Sequence, residues 1–174
     1  MAITNRIQDF SMRRPAVFFD RDGTSNEDRG YPHKKEDLAL IPGAAKAVHR
    51  FNAKGYLIII ITNQSGIARG YFDTDDFKNS NAALRRALLL EGAQIDLILH
   101  CPHHPKFSGP CSCRKPQPGM IHTATKRLQI DLDTSFLIGD QTSDLACATA
   151  AGIQGHLFEG GDLHEFCNDQ DLFK

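Results

Sequence analysis

Five short apolar runs, separated by segments long enough to form helices, constrain the fold of this chain more than any other feature. The runs span residues 16–19, 56–61, 95–99, 136–138 and 153–158. Most are nearly continuous in apolar character and rich in Ile, Leu and Phe, which suits strands covered on both faces rather than wetted on one side. Between them, residues 44–53, 75–90, 120–128 and 144–151 carry good helix formers, several with apolar residues three or four apart. The alternation predicts βαβ units and an α/β fold: a doubly wound, Rossmann-like parallel sheet with helices on both faces. At 174 residues the chain is expected to form a single domain over 1–174. One stretch, residues 100–118, lacks periodicity and is dense in Cys, His, Pro and Gly. Something other than a core must order it.

Charge narrows the choice of partner. Lys and Arg total 20 against 21 Asp and Glu, a formal net charge of −1, so there is no basic surplus to hold a polyanion or an acidic membrane surface. No nucleic acid and no membrane partner are expected, and a monomer is the default. No run approaches the roughly 20 apolar residues of a membrane span, and residues 1–14 lack the apolar stretch of a secretory signal. A cytoplasmic location follows as the expectation. Five cysteines, an odd number, argue for reduced thiols rather than a closed disulfide framework.

In a doubly wound sheet, ligands sit at the carboxyl ends of the strands. The first run ends in Asp20-Arg21-Asp22-Gly23-Thr24, the second in Thr62-Asn63-Gln64-Ser65-Gly66, and the fourth in Gly139-Asp140-Gln141-Thr142-Ser143-Asp144. Asp and Gly are ordinary turn residues, and each cluster alone has that plain reading. An Asp-x-Asp-Gly-Thr string, however, arises by chance in a chain of this length only about once in a thousand, from average residue usage. Two aspartates two positions apart after a strand can enter one cavity and divide the work. One, ionised, is a nucleophile toward phosphorus that forms an aspartyl-phosphate. The other, its proton held by a like-charged neighbour, protonates the leaving oxygen and later deprotonates water. Phosphate and two carboxylates repel unless a cation is present, and a hard oxygen cluster suits Mg²⁺, with Asp140 as a further ligand.

The aperiodic stretch contains Cys101-Pro102-His103-His104 and, seven residues on, Cys111-Ser112-Cys113. Three thiols and one imidazole at this spacing select Zn²⁺ in a closed tetrahedral Cys₃His site over about 101–113; by adjacency either histidine can complete it. With four protein ligands no coordination position stays open, so the zinc is expected to be structural and to shape the loop that carries Arg114 and Lys115.

Asp20-Arg21-Asp22-Gly23-Thr24, Thr62, Lys115 and the Asp140/Asp144 pair resemble the four motifs of the haloacid dehalogenase (HAD) phosphatase superfamily, across residues 18–152. That resemblance implies a HAD-like fold without a large cap domain. In it Asp20 is nucleophile and Mg²⁺ ligand, Asp22 is general acid/base with its carbonyl on the metal, and Asp140 completes the protein ligands. Thr62 and Lys115 bind the phosphoryl oxygens, which matches the need for donors on charge spread over the equatorial oxygens. Asp144 orients Lys115 or a metal-bound water. The Cys-Pro-His-His-Pro…Cys-x-Cys-Arg-Lys-Pro insert, with Gly30-Tyr31, Ile41-Pro42-Gly43 and residues 62–71, is similar to the D-glycero-D-manno-heptose 1,7-bisphosphate phosphatases. It implies His103 as the zinc-bound histidine. It also implies contacts to a small phosphorylated sugar from Asp28, Gly30, Tyr31, Thr62, Asn63, Gln64, Ser65, Arg114 and Lys115. The activity implied is removal of the C7 phosphate, leaving heptose 1-phosphate for nucleotide-activated heptose and lipopolysaccharide-core or related glycan synthesis. Four features depart from that pattern: Arg29 is a weak match, the zinc loop is short, and two further positions differ. Ser25 stands where an apolar residue is usual, and Gln141 stands where a Lys is common.

Two rivals are carried forward: hydrolysis of histidinol phosphate or another small sugar phosphate by the same machinery, and a zinc-dependent binding module without catalysis. Outside the site, Cys147 reads as a small core residue and Cys167 as part of a polar tail. His33, His49, His122, His156 and His164 are scattered without mutual spacing and read as surface or capping residues.

Overall fold

The structure is a computed structural model that describes residues 13–27 and 38–174. Asp28, Gly30 and Tyr31, expected to touch substrate, lie outside the described residues. The five apolar runs form β1 (Ala16–Phe19), β2 (Leu57–Asn63), β3 (Leu97–Cys101), β4 (Phe136–Gly139) and β5 (Gln154–Leu157). They pair in parallel, in the order β3-β2-β1-β4-β5. β2 outlasts its apolar run because Thr62 and Asn63 stay paired with His100 and Cys101 of β3.

The four helix-length segments form α1 (Ala44–Ala53), α3 (Thr74–Leu90), α5 (Gly119–Leu128) and α6 (Thr142–Ala150), and three shorter helices join them: α2 (Ser65–Ala68), α4 (Pro105–Ser108) and α7 (Leu163–Asp169). α3 starts at a capping box in which the Asp73 carboxylate accepts from the backbone N–H of Asp75 and Asp76.

Alternation along the central strands splits the core into two layers. Val17, Phe19, Ile58, Ile60 and Ile138 face one way, packed with Ala47, Val48 and Phe51 of α1 and Leu84 and Leu88 of α3. Ala16, Phe18, Ile59, Ile61 and Leu137 face the other, against Met120, Ile121 and Ala124 of α5 and Cys147 and Ala148 of α6. Both faces of the three central strands are therefore dry, as their continuous apolar runs require, while the edge strands β3 and β5 are partly exposed.

The C-terminal segment is a correction to the polar-tail reading of Cys167. That residue is fully buried on α7, where Leu163, Phe166 and Cys167 fall on one helical stripe, and Phe173 beyond it packs at a tilt on Phe51 with ring centroids 4.6 Å apart. Asp162 caps this helix by accepting from His164 and Glu165. Among the described residues no helix is long and apolar enough to cross a membrane.

From β1 the chain adds β2 and β3 on one side, then returns to add β4 and β5 on the other. The switch falls between β1 and β4, where the loops leaving adjacent parallel strands part and open a crevice.

Candidate active site

A cleft of about 450 Å³ opens there, lined by Asp20, Asp22, Thr62, Asn63, Gln64, Lys115, Asp140, Gln141, Ser143 and Asp144. Three strand ends feed it. Asp20 follows β1, Thr62 and Asn63 end β2, and Asp140 follows β4, with Asp144 in the first turn of α6. Two glycines let these loops approach. Gly23 has φ +86°, and a Cβ there would collide with the Asp140 carboxylate; a Cβ on Gly139 would collide with that of Asp144.

Lys115 is the hub. Its Nζ lies 2.7 Å from Asp20 Oδ1 and 2.6 Å from Asp144 Oδ1, and donates to the carbonyl of Ile61 at 3.1 Å. All three side chains are almost completely buried. Burial works against the ammonium, but the two carboxylates outweigh it and hold its pKa above the ordinary lysine value. Burial dominates at Asp20 and, helped by the charges of Asp144 and Asp22, raises its carboxyl to about 7 against the pull of Lys115. Asn63 fixes the backbone behind the hub: its Oδ1 accepts from Lys115 N–H at 3.0 Å, and its Nδ2 donates to the Lys115 carbonyl at 3.2 Å.

Asp22 points elsewhere. Its Oδ2 accepts from Gln64 Nε2 at 2.9 Å, and the same amide reaches Thr62 Oγ1 at 2.8 Å. Its carboxylate also meets the guanidinium of Arg21. The carboxylates that converge are those of Asp20, Asp140 and Asp144, each with an oxygen within 4.8 Å of the others. Asp140 is steadied by Gln141 Nε2 at 2.7 Å and, more distantly, by Thr24 Oγ1 at 3.4 Å.

Beside the cleft, Cys101 at the end of β3 meets His103, Cys111 and Cys113. The closest pairs are Cys101 to Cys113 at 2.9 Å, His103 Nδ1 to Cys113 at 3.2 Å, Cys101 to Cys111 at 3.5 Å and Cys113 to Cys111 at 3.6 Å. The edges of a tetrahedral thiolate site run about 3.7 Å, from metal–sulfur bonds of about 2.3 Å. The four side chains are thus gathered as one ligand set around a space of metal size. Burial opposes ionisation of Cys111, but the Arg114 backbone N–H and the thiols of Cys101 and Cys113 lower it to about 7. His104 stands apart: its Nδ1 caps α4 by accepting from Lys106 N–H at 3.2 Å, and its Nε2 lies 2.9 Å from Arg69.

Of the expected site residues, Asp20, Asp22, Thr62, Asn63, Gln64, Lys115 and Asp140 share the cleft. Ser65 is buried as the first residue of α2, and Arg114 lies on the cysteine loop, donating to the His103 carbonyl at 3.2 Å. Neither lines the cleft. Sequence reasoning passed over Arg21, Thr24 and Ser143. For Arg21 the available signal was its place between two acids.

A parallel sheet with a buried aspartate after β1, a threonine at the end of β2, a buried lysine and an acid after β4 defines a hydrolase of the HAD type. The pattern of the HAD-hydrolase-like family matches residues 112–165. The chain is 45% identical over 159 residues, covering 88% of each chain, to the D-glycero-beta-D-manno-heptose-1,7-bisphosphate 7-phosphatase of Rhodopseudomonas palustris. To the enzyme of that name from Escherichia coli it is 39% identical, over 80% of this chain and 75% of that one. Among solved structures, it superposes with a TM-score of 0.78 and 32% identity on the D,D-heptose 1,7-bisphosphate phosphatase of B. bronchiseptica complexed with magnesium and phosphate, covering 90% of this chain and 86% of that one. The chain belongs to this family of heptose bisphosphate phosphatases within the HAD-like hydrolases.

Proposed function

We propose that this protein is a phosphoric monoester hydrolase that removes the C7 phosphate of D-glycero-β-D-manno-heptose 1,7-bisphosphate, acting as one cytoplasmic catalytic domain and as a monomer. The observation that carries the reading is the burial of Asp20 against Lys115 at 2.7 Å in a cleft also lined by Asp22 and Thr62. The relatives' names and the match over most of the chain support the substrate.

The donor set fits a hard divalent cation. Asp20, Asp140 and Asp144 crowd three carboxylates together with one lysine in attendance, an excess of negative charge that a divalent cation would offset. Asp20 and Asp140 would hold Mg²⁺, joined by the backbone carbonyl of Asp22, while Asp144 keeps Lys115 in place. When bound, the ion supplies positive charge that lets a phosphate dianion approach carboxylates. Cys101, His103, Cys111 and Cys113 would hold Zn²⁺ as a structural ligand set, fixing the loop that leads into Arg114 and Lys115.

Asp20 attacks phosphorus, and Lys115 Nζ and Thr62 Oγ1 meet the equatorial oxygens where charge spreads. The phosphorus–sugar oxygen bond breaks as Asp22 gives its proton to the sugar oxygen. The Asp22 carboxylate then takes a proton from water, whose oxygen attacks phosphorus and returns Asp20 to its free form. Arg114, with Asp28, Gly30, Tyr31, Asn63, Gln64 and Ser65, is assigned to the sugar and its remote phosphate.

Phosphate release from synthetic β- and α-heptose 1,7-bisphosphates, with histidinol phosphate and fructose 1,6-bisphosphate alongside, tests this. The β anomer should exceed the others in kcat/KM by at least about tenfold, a margin of about 1.4 kcal/mol. A lead for histidinol phosphate overturns the substrate, and no release from any phosphomonoester returns the chain to the binding-module reading.

A further inference from the structure

Arg21 is buried to 1% exposure and heads the fully buried side chains by volume. A guanidinium cannot shed its charge, so burying it is costly unless donors and acceptors are matched. Here they are matched onto the acid/base. Nε and Nη2 donate to Oδ1 and Oδ2 of Asp22, both at 2.9 Å, as a planar fork. Behind the fork, α3 supplies the support: Asn81 Oδ1 accepts from Nη1 at 3.4 Å, and the Phe77 ring lies under the guanidinium carbon at 5.2 Å. Phe77 and Asn81 are four residues apart on one face of the helix, so both present to the same side chain. In this ionised arrangement Gln64 Nε2 takes the cleft-side lone pair of Oδ2, the one that carries the proton when Asp22 is the acid, and Asn26 Nδ2 lies 3.4 Å from Oδ1.

We propose that Arg21 is the positioning residue of the acid–base step: its fork, braced by α3, fixes the plane of the Asp22 carboxyl so that its proton is delivered to the leaving sugar oxygen. The inference rests on the reading of Asp22 as acid/base given above. As the phosphorus–oxygen bond breaks, its electron pair stays on the sugar oxygen, which takes the Asp22 proton. The negative charge left on Asp22 then faces the guanidinium. In the second step that carboxylate removes a proton from the attacking water, and Asp22 is restored. A lysine at this position keeps the charge but cannot hold both oxygens in one plane.

The test compares leaving groups. kcat/KM reports the steps up to phosphoryl transfer, and transfer from p-nitrophenyl phosphate needs no proton on the leaving oxygen, whereas transfer from a sugar phosphate does. Arg21→Lys should lower kcat/KM for the heptose bisphosphate by about 30-fold or more beyond any loss with p-nitrophenyl phosphate, a large part of the roughly 10²-fold or more that general acid catalysis supplies. In an Asp22→Asn background the same change should add no further selective loss. Phe77→Leu keeps an apolar neighbour and removes the ring beneath the guanidinium, a ring that also packs on His100 at 4.3 Å, so it should shift the ratio the same way by about threefold. It carries the test if Arg21→Lys does not fold. Equal losses on both substrates, or an undiminished effect of Arg21→Lys without Asp22, would overturn the proposal. A wild-type protein inactive on both substrates would instead remove the reading on which it rests.

Discussion

At Lys115 a single ammonium answers two buried carboxylates, so removing it should cost more than removing either partner. Lys115→Met retains the stem volume but leaves Asp20 and Asp144 in the core without their cation. Breaking a buried pair in this way costs about 3–5 kcal/mol, which urea unfolding of the metal-free protein should show, together with loss of phosphate release. Asp20→Asn should separate chemistry from stability. It removes the proposed nucleophile, so activity should fall by about 10³-fold or more, while the ionised form that burial disfavours is gone. Its metal-free unfolding midpoint at pH 8 should therefore be no lower than that of the wild type. A variant that keeps its activity refutes the covalent role. Asp20, Thr62 and Asp140 were legible in the sequence because each follows an apolar run that had to be a strand, and a doubly wound sheet concentrates its ligands at such ends. Arg21 was not legible, since a lone arginine beside acids reads as a solvated ion pair until its burial under α3 is seen.

Among the elements, the cysteine loop shows the same division. The gathering of Cys101, Cys111 and Cys113 with a histidine was readable from spacing because thiol and imidazole chemistry is local, and the choice of His103 over His104 came from resemblance. The geometry agrees: His103 Nδ1 joins the thiols, while His104 caps α4. α2 and α4 were not readable, being single turns too short to show a period, and α7 was hidden because its apolar stripe rests on only three residues. Its burial is completed by Phe173, which the polar residues around it mask. Phe173→Ala should accordingly destabilise by about 3 kcal/mol or more, as aromatic truncation in a core does, without changing KM, since α7 packs on α1 away from the cleft. The cysteine loop should behave in the opposite manner. Cys113→Ser, or zinc removal by a strong chelator, frees the segment leading to Arg114 and Lys115 while both sheet layers keep their core. Activity should drop with far-ultraviolet circular dichroism nearly unchanged, and loss of zinc with full activity would contradict a structural role for the site.

On the scale of the whole molecule, the fold concentrates negative charge at one place while the chain remains nearly neutral. The topological switch brings the ends of β1 and β4 side by side, and Asp20, Asp140 and Asp144 come with them. In the metal-free protein burial, with the charges of Asp144 and Asp22 adding to it, keeps a proton on Asp20, whose pKa is raised from 3.8 to about 7. Between those values the folded state binds a proton that the unfolded state does not, so this group makes stability fall as pH rises from about 4 to about 7, and then level off. A divalent cation needs the same carboxylate ionised, so it must displace that proton below pH 7 and need not above it. Mg²⁺ affinity should therefore rise up to about pH 7, being about tenfold weaker at pH 6, and the stabilisation it confers at a fixed concentration above Kd should be about 1.4 kcal/mol smaller at pH 6 than at pH 8. Titration calorimetry at pH 6 in buffers of different ionisation enthalpy should detect close to one proton released per ion, and almost none at pH 8. Asp140→Asn should weaken binding at both pH values yet keep the dependence, because the titrating group is Asp20. Asp20→Asn should abolish the dependence itself, and a Mg²⁺ shift that is the same at pH 6 and pH 8 in the wild-type protein would place the ion away from Asp20.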